Sequence, residues 1–133
     1  MKLKRLIIAS SITTLLTTLP AAADQWVFVA RDHNDIDYYV DPEFVERRHN
    51  TVWFWQMSVF PEPDEQGLLA RKTYSAMICP LRAWRPVAIA RFNVQGELIN
   101  RTQLSDDEPL QFFTSGSVGE AIWKLVCQTE DFS

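Results

Sequence analysis

Cys79 and Cys127 are the residues of this chain with the most chemistry to offer. A free thiolate is a nucleophile when a histidine or another cation activates it, whereas two thiols in an oxidising compartment form a cross-link. The chain has only two histidines, His33 and His49, both in polar, turn-like segments, and it has no Cys-x-x-Cys pair. A serine nucleophile fares no better, because there is no Gly-x-Ser-x-Gly elbow. Gly116 and Gly119 do not build a phosphate loop, since no Gly-Lys-Ser/Thr follows them. Asp32, Asn34 and Glu43 fall at positions 1, 3 and 12 of a calcium loop. However, Ile36 stands where a ligand is needed and Asp37 where the sharp turn needs glycine. These residues read as a solvated loop. No catalytic residue, metal ligand or cofactor is nominated, and a small hydrolase is kept only as the second alternative.

The compartment decides what the two cysteines do. Lys2, Lys4 and Arg5 form a basic start, and Leu6 to Leu19 carries no charge. Pro20 breaks that stretch, and Ala21-Ala22-Ala23 has the small side chains that a signal peptidase reads. Leu6 to Leu19 is shorter than the roughly 20 apolar residues of a bilayer span. The expectation is a signal peptide over residues 1–23 and one mature domain over residues 24–133. Export favours pairing of Cys79 with Cys127. The periplasm is the expected address, with the cell surface or the medium left open.

Removing the 23-residue leader from 133 residues leaves 110, a suitable length for one domain. Three of the 13 basic residues leave with it, so ten bases face 17 acids and the formal charge is −7. Nucleic-acid binding relies on Lys and Arg to neutralise phosphates, and this balance argues against it.

Strands followed by one helix must position these residues. Gln25 to Ala30, Ile36 to Val40, Ala70 to Cys79 and Leu98 to Leu104 read as strands. Thr51 to Phe60 gives the strongest signal, with Trp53, Trp55, Met57 and Val59 alternating onto one face. In the strand Trp84 to Val94, simple alternation puts Trp84, Ala88, Ala90 and Phe92 together, opposite Arg85, Val87, Ile89 and Arg91. Phe44 to Arg48 is ambiguous. Gln95-Gly96-Glu97 reads as a hairpin turn. Ser117 and Glu120 form a capping box for a C-terminal helix whose Val118, Ala121, Ile122, Leu125 and Val126 follow helical spacing. The expected fold class is α+β: an antiparallel β-sheet of about five to six strands packed with one C-terminal α-helix.

Several strands carry apolar residues on both faces, and one helix covers only part of one. Ordinary surface exposure is one account, and a sheet-mediated dimer or a ligand face is the other. Arg71, Lys72, Arg82, Arg85 and Arg91 cluster in the middle of an otherwise acidic chain. On paired strands they could form one surface that attracts an anionic partner, or simply protect sheet edges from aggregation. Asn100-Arg101-Thr102 is a formal glycosylation sequon inside a strand, where no role is expected.

Read together, these elements resemble the surface-adhesin protein E family of Gram-negative bacteria. The matching residues are Trp26, Asp37-Tyr38-Tyr39-Val40-Asp41, Thr51-Val52-Trp53-Phe54-Trp55 and Pro61-Glu62-Pro63. Tyr74-Ser75-Ala76-Met77-Ile78-Cys79, Gly96, and Ser115-Gly116-Ser117 through Trp123 to Cys127 complete the set. The resemblance covers nearly all of the mature chain. It implies a strand-to-helix disulfide, dimeric assembly, and adhesion to host proteins such as vitronectin and laminin. The chain departs from the family pattern in two places. Ala23-Asp24 replaces the lipid-bearing cysteine, so no stable membrane anchor is expected after cleavage. Asp64 and Glu65 follow Pro-Glu-Pro where the adhesin is basic. The expectation is an exported, non-enzymatic protein that meets a host matrix or serum protein through Arg71, Lys72, Arg82 and Arg85. The first alternative is a soluble periplasmic binding or structural module without adhesin activity.

Overall fold

The computed structural model describes residues 25–128. The expected signal peptide over residues 1–23, its expected cleavage site and the expected domain start at Asp24 therefore lie outside the described residues. Eight strands form one antiparallel sheet: β1 (Val27–Arg31), β2 (Asp37–Val40), β3 (Glu46–Arg48), β4 (Thr51–Val59), β5 (Leu68–Ile78), β6 (Ala83–Asn93), β7 (Leu98–Gln103) and β8 (Gln111–Phe112). The order across the sheet is β1-β2-β4-β5-β6-β7. The short β3 pairs with the start of β4, and β8 pairs with the start of β6. This is the expected α+β class, with six main strands and two short ones.

Phe44 to Arg48 resolves into the end of a 3-10 turn, Pro42–Phe44, followed by β3. The Asp41 carboxylate accepts from the Glu43 amide and starts that turn. After β8 comes α1 (Val118–Trp123), and the chain continues as a wider π-type turn over Lys124–Gln128. The Ser117 hydroxyl accepts from the Glu120 amide, as a cap should. Glu120 does not reach back to Ser117, as a capping box would have it. Its carboxylate accepts from the Gly116 amide at 2.8 Å instead. Among the described residues no helix is long and apolar enough to cross a membrane.

The β4 alternation holds. Val52 and Phe54 are buried on one face, and Trp53, Trp55, Met57 and Val59 lie half-buried on the other. The buried face packs under the helix: Val40, Val52, Phe54 and Met77 from the sheet meet Ile122 and Val126.

The faces expected for β6 are corrected by a bulge. Ser75 pairs with Pro86 and Tyr74 with Ala88, so Val87 is an extra residue. One extra residue reverses every later side chain relative to simple alternation. Trp84 therefore shares the helix-bearing face with Ile89 and Arg91, while Arg85 joins Ala88, Ala90 and Phe92 on the open face. Pro86 offers no N–H to the ladder, which suits it to such an irregularity.

Candidate functional site

The two cysteines are joined. Sγ–Sγ is 2.06 Å and the Cα atoms lie 5.8 Å apart, tying the end of β5 to the last turn of the helix. Neither thiol is free, so a cysteine nucleophile is not available. The Trp123 indole N–H donates to the Cys79 carbonyl at 3.0 Å, locking the helix against the same strand end.

Arg82, in a left-handed conformation at φ 53°, closes the turn after Cys79. Its Nη2 donates to Glu120 at 2.8 Å, and its guanidinium lies 4.2 Å from the Trp123 ring centre and 5.3 Å from Phe113. Hydrogen bonds from Gly116 and Arg82 hold the Glu120 carboxyl below the usual range. Arg82 is thus engaged in holding the helix to the sheet.

The expected basic surface over Arg71, Lys72, Arg82 and Arg85 is divided by strand geometry. Successive side chains of a strand point to opposite faces. Arg71 pairs with Ser58 and Arg91 on the helix-bearing side, and its guanidinium lies 5.8 Å from the Phe60 ring. Lys72 pairs with Met57 and Ala90 on the open side. The bulge brings Arg85 to that same side, and β7 adds Arg101 opposite Ala90. Lys72, Arg85 and Arg101 thus share a face; Arg71 and Arg82 do not.

The open face has a consistent composition. Ala76, Ala88 and Ala90 form its floor along β5 and β6, beside an aromatic ridge on β4 and β5. Trp55 and Tyr74 stack along that ridge with ring centres 5.1 Å apart. Arg48 lies 4.6 Å over Trp53. The Lys72 ammonium sits between rings, 4.9 Å from Phe92 and 5.4 Å from Trp26. Among the described strand residues, the carboxylates on this face are Asp37 and Glu46, and both are used: Asp37 by Arg31 at 2.6 Å and Glu46 by Arg48 at 3.2 Å. Lys72, Arg85 and Arg101 have no carboxylate partner among the described residues. Positive charge is concentrated here, although the chain as a whole is acidic.

Simple alternation missed Arg101 and grouped Arg85 wrongly. The hairpin at Gly96 would not have found Arg101, because the register slips between Phe92↔Leu98 and Arg91↔Asn100, and this bulge at Ile99 is what places Arg101 opposite Ala90. Neither this bulge nor the one at Val87 leaves a mark in the sequence.

The acidic β1–β2 loop does not gather as a calcium site. Asp32 accepts from the amides of Asn34 and Ile36 and from the Tyr38 hydroxyl, so it organises its own turn. Desolvation pushes its carboxyl up, and these hydrogen bonds outweigh that and hold it below the usual range. Burial and the bond to Asp32 push the Tyr38 phenol up to about 12. On the sequon, Asn100 accepts from the Arg91 guanidinium.

The helix-bearing side also has a cleft of about 660 Å³ where the helix leaves the sheet uncovered. Its lining includes Asp32, Tyr38, Gln56, Met77, Trp84 and Phe113.

These features define a small α+β module: an antiparallel sheet clamped to a C-terminal helix by one strand-to-helix disulfide, with its other face open. The family model described as Surface-adhesin protein E matches residues 26–128, and the chain belongs to that family. No curated protein and no solved structure matches it significantly. Membership makes this a surface-adhesin-like protein of an exported family.

Proposed function

We propose that this is an exported, non-enzymatic adhesion protein that holds a host matrix or serum protein against the open face of its sheet. The supporting observation is the union, on that face, of a half-buried aromatic ridge with three cations that no carboxylate neutralises among the described residues. Aromatic and arginine side chains dominate binding energy at protein interfaces. Unpaired cations steer an acidic partner towards such a face. Within the cation set expected from sequence, Lys72 and Arg85 would touch the partner, with Arg101 beside them.

The mature protein should bind immobilised laminin or vitronectin with an affinity that falls as salt rises, since exposed charges are screened within about 10 Å at 0.1 M salt. Reversing Lys72 and Arg85 should weaken that binding, and reversing Arg71 should not. Equal effects from both faces would remove the proposal. The periplasm is the proposed compartment, because Ala23-Asp24 offers no cysteine for a lipid anchor. Fractionation tests this: accessibility on intact cells would place the protein at the surface instead. Light scattering on the same preparation tests the homodimer that the family resemblance implies.

A further inference from the structure

The cleft of about 660 Å³ lies on the opposite side of the sheet from the open face and has no part in the function proposed above. Its volume falls within the roughly 300–1,000 Å³ of small-molecule sites. One wall is apolar and largely aromatic, built by Met77, Trp84 and Phe113 with Ile122 behind them. The other end is polar, with Asp32, Tyr38 and Gln56.

The negative charge at that end is only partly offset: His33, next to Asp32, lines the cleft with it and favours its ionised form. Arg31 lines the cleft, but its guanidinium is turned to Asp37 by bonds of 2.6 and 3.1 Å. Asp32 takes three neutral hydrogen bonds and no cationic one. A carboxylate offers about four acceptor positions, so one direction remains. The start of α1, which also borders the cleft, gives an anion little purchase. Ser117 and Glu120 already close it, and Glu120 is paired with Arg82.

A second observation lies beneath the cleft, at a residue that does not itself line it. Ser75 faces the helix-bearing side, with cleft residues Met77 next along the face of its own strand and Gln56 and Trp84 diagonal to it on β4 and β6. Its hydroxyl is fully buried and has no hydrogen-bond partner among the described residues. Buried polar groups are nearly always satisfied, so the Ser75 hydroxyl is an exception beside the cleft.

We propose that this cleft binds a small amphipathic amine, its apolar or aromatic body against Met77, Trp84 and Phe113 and its protonated nitrogen at Asp32. A free aromatic amine and the N-terminal aromatic residue of a peptide share this chemistry.

The test is calorimetric titration of the disulfide-bonded chain with tryptamine, indole-3-acetate and a tripeptide that begins with tryptophan. Tryptamine or the tripeptide should bind at least tenfold more tightly than the anion, the tighter of the two identifying the source. Asp32→Asn should weaken amine binding about tenfold, the loss of one charge-assisted hydrogen bond. Trp84 lines the cleft and is only half-buried, so Trp84→Leu should weaken binding of the aromatic body while keeping an apolar residue in place, and it serves if Asp32→Asn misfolds. Lys72→Met, on the other face, should change nothing. No heat at millimolar amine, equal binding of the anion, or sensitivity to Lys72→Met would overturn the proposal.

Discussion

The Lys72 ammonium lies 5.4 Å from the centre of the Trp26 ring, although β2 and β4 separate their strands in the sheet. Trp26 leads into β1 at one edge, and Lys72 sits on β5 near the middle. The two long side chains reach towards each other across the open face, and Phe92 meets the same ammonium from β6 at 4.9 Å. This contact ties the first described residues to the centre of the surface proposed to bind a partner.

A cation over exposed rings is worth about 0.5–1 kcal/mol. Lys72→Met keeps much of the side-chain length and removes the charge. It should lower unfolding stability by no more than about 1 kcal/mol, measured by urea denaturation, while reducing the salt dependence of partner binding. A large stability loss would make Lys72 a structural residue.

The disulfide spans 48 residues of sequence. The chain-entropy relation assigns about 4 kcal/mol to a loop of that length. The double substitution Cys79→Ala with Cys127→Ala should lower the denaturation midpoint accordingly. The spectrum of the sheet should survive longer than the near-ultraviolet signal of Trp123, whose indole is bonded to the Cys79 carbonyl.

Much of the sheet and the helix was legible in the sequence, because β4 alternates without interruption and Ser117 opens a helical apolar spacing. The strand-to-helix tie followed from the two cysteines and from the elements expected around them. The composition of the open face was not legible. The Val87 bulge reverses the second half of β6, and a single extra residue changes no periodicity that a short window can detect. Arg71 and Lys72, adjacent in sequence, suggested one patch; strand geometry requires that they face apart. The displaced capping contact was hidden for a different reason: Glu120 also has to meet Arg82, which only the tertiary structure brings near.

Arg82 separates two contributions that one substitution would confound. Arg82→Ala loses the contacts with Glu120 and Trp123 and leaves a Cβ in left-handed backbone. Arg82→Gly loses the same contacts and tolerates that backbone. The glycine variant should therefore be more stable than the alanine variant by about 1 kcal/mol. Equal stability in thermal melts would mean that the turn relaxes on substitution.

Stability should fall at both ends of the pH scale. Asp32, Asp37 and Glu120 titrate below their ordinary values of 3.8, 3.8 and 4.5. The unfolded chain therefore takes up protons first, and the stabilisation present above those ordinary values is lost as pH falls through the lower folded ones. Glu120→Gln should flatten the acid limb. At the alkaline end, Tyr38 titrates at about 12 rather than 10, chiefly through burial, and Tyr74 is shifted the same way. Their contribution is complete below pH 10 and is lost as pH rises through the folded values. Tyr38→Phe should shrink that limb. Denaturant midpoints collected from pH 2 to 12 check both.

The central claim is that the open face holds the partner. The most direct measurement is surface-plasmon binding of the mature, disulfide-bonded protein to immobilised laminin at 50 and 300 mM salt. Wild type is compared with Lys72→Glu/Arg85→Glu and with Arg71→Glu. The account predicts salt-sensitive binding by wild type, a loss of tenfold or more in the open-face double variant, and little change in Arg71→Glu. Binding that is indifferent to the open-face reversal, or abolished by Arg71→Glu alone, would contradict it.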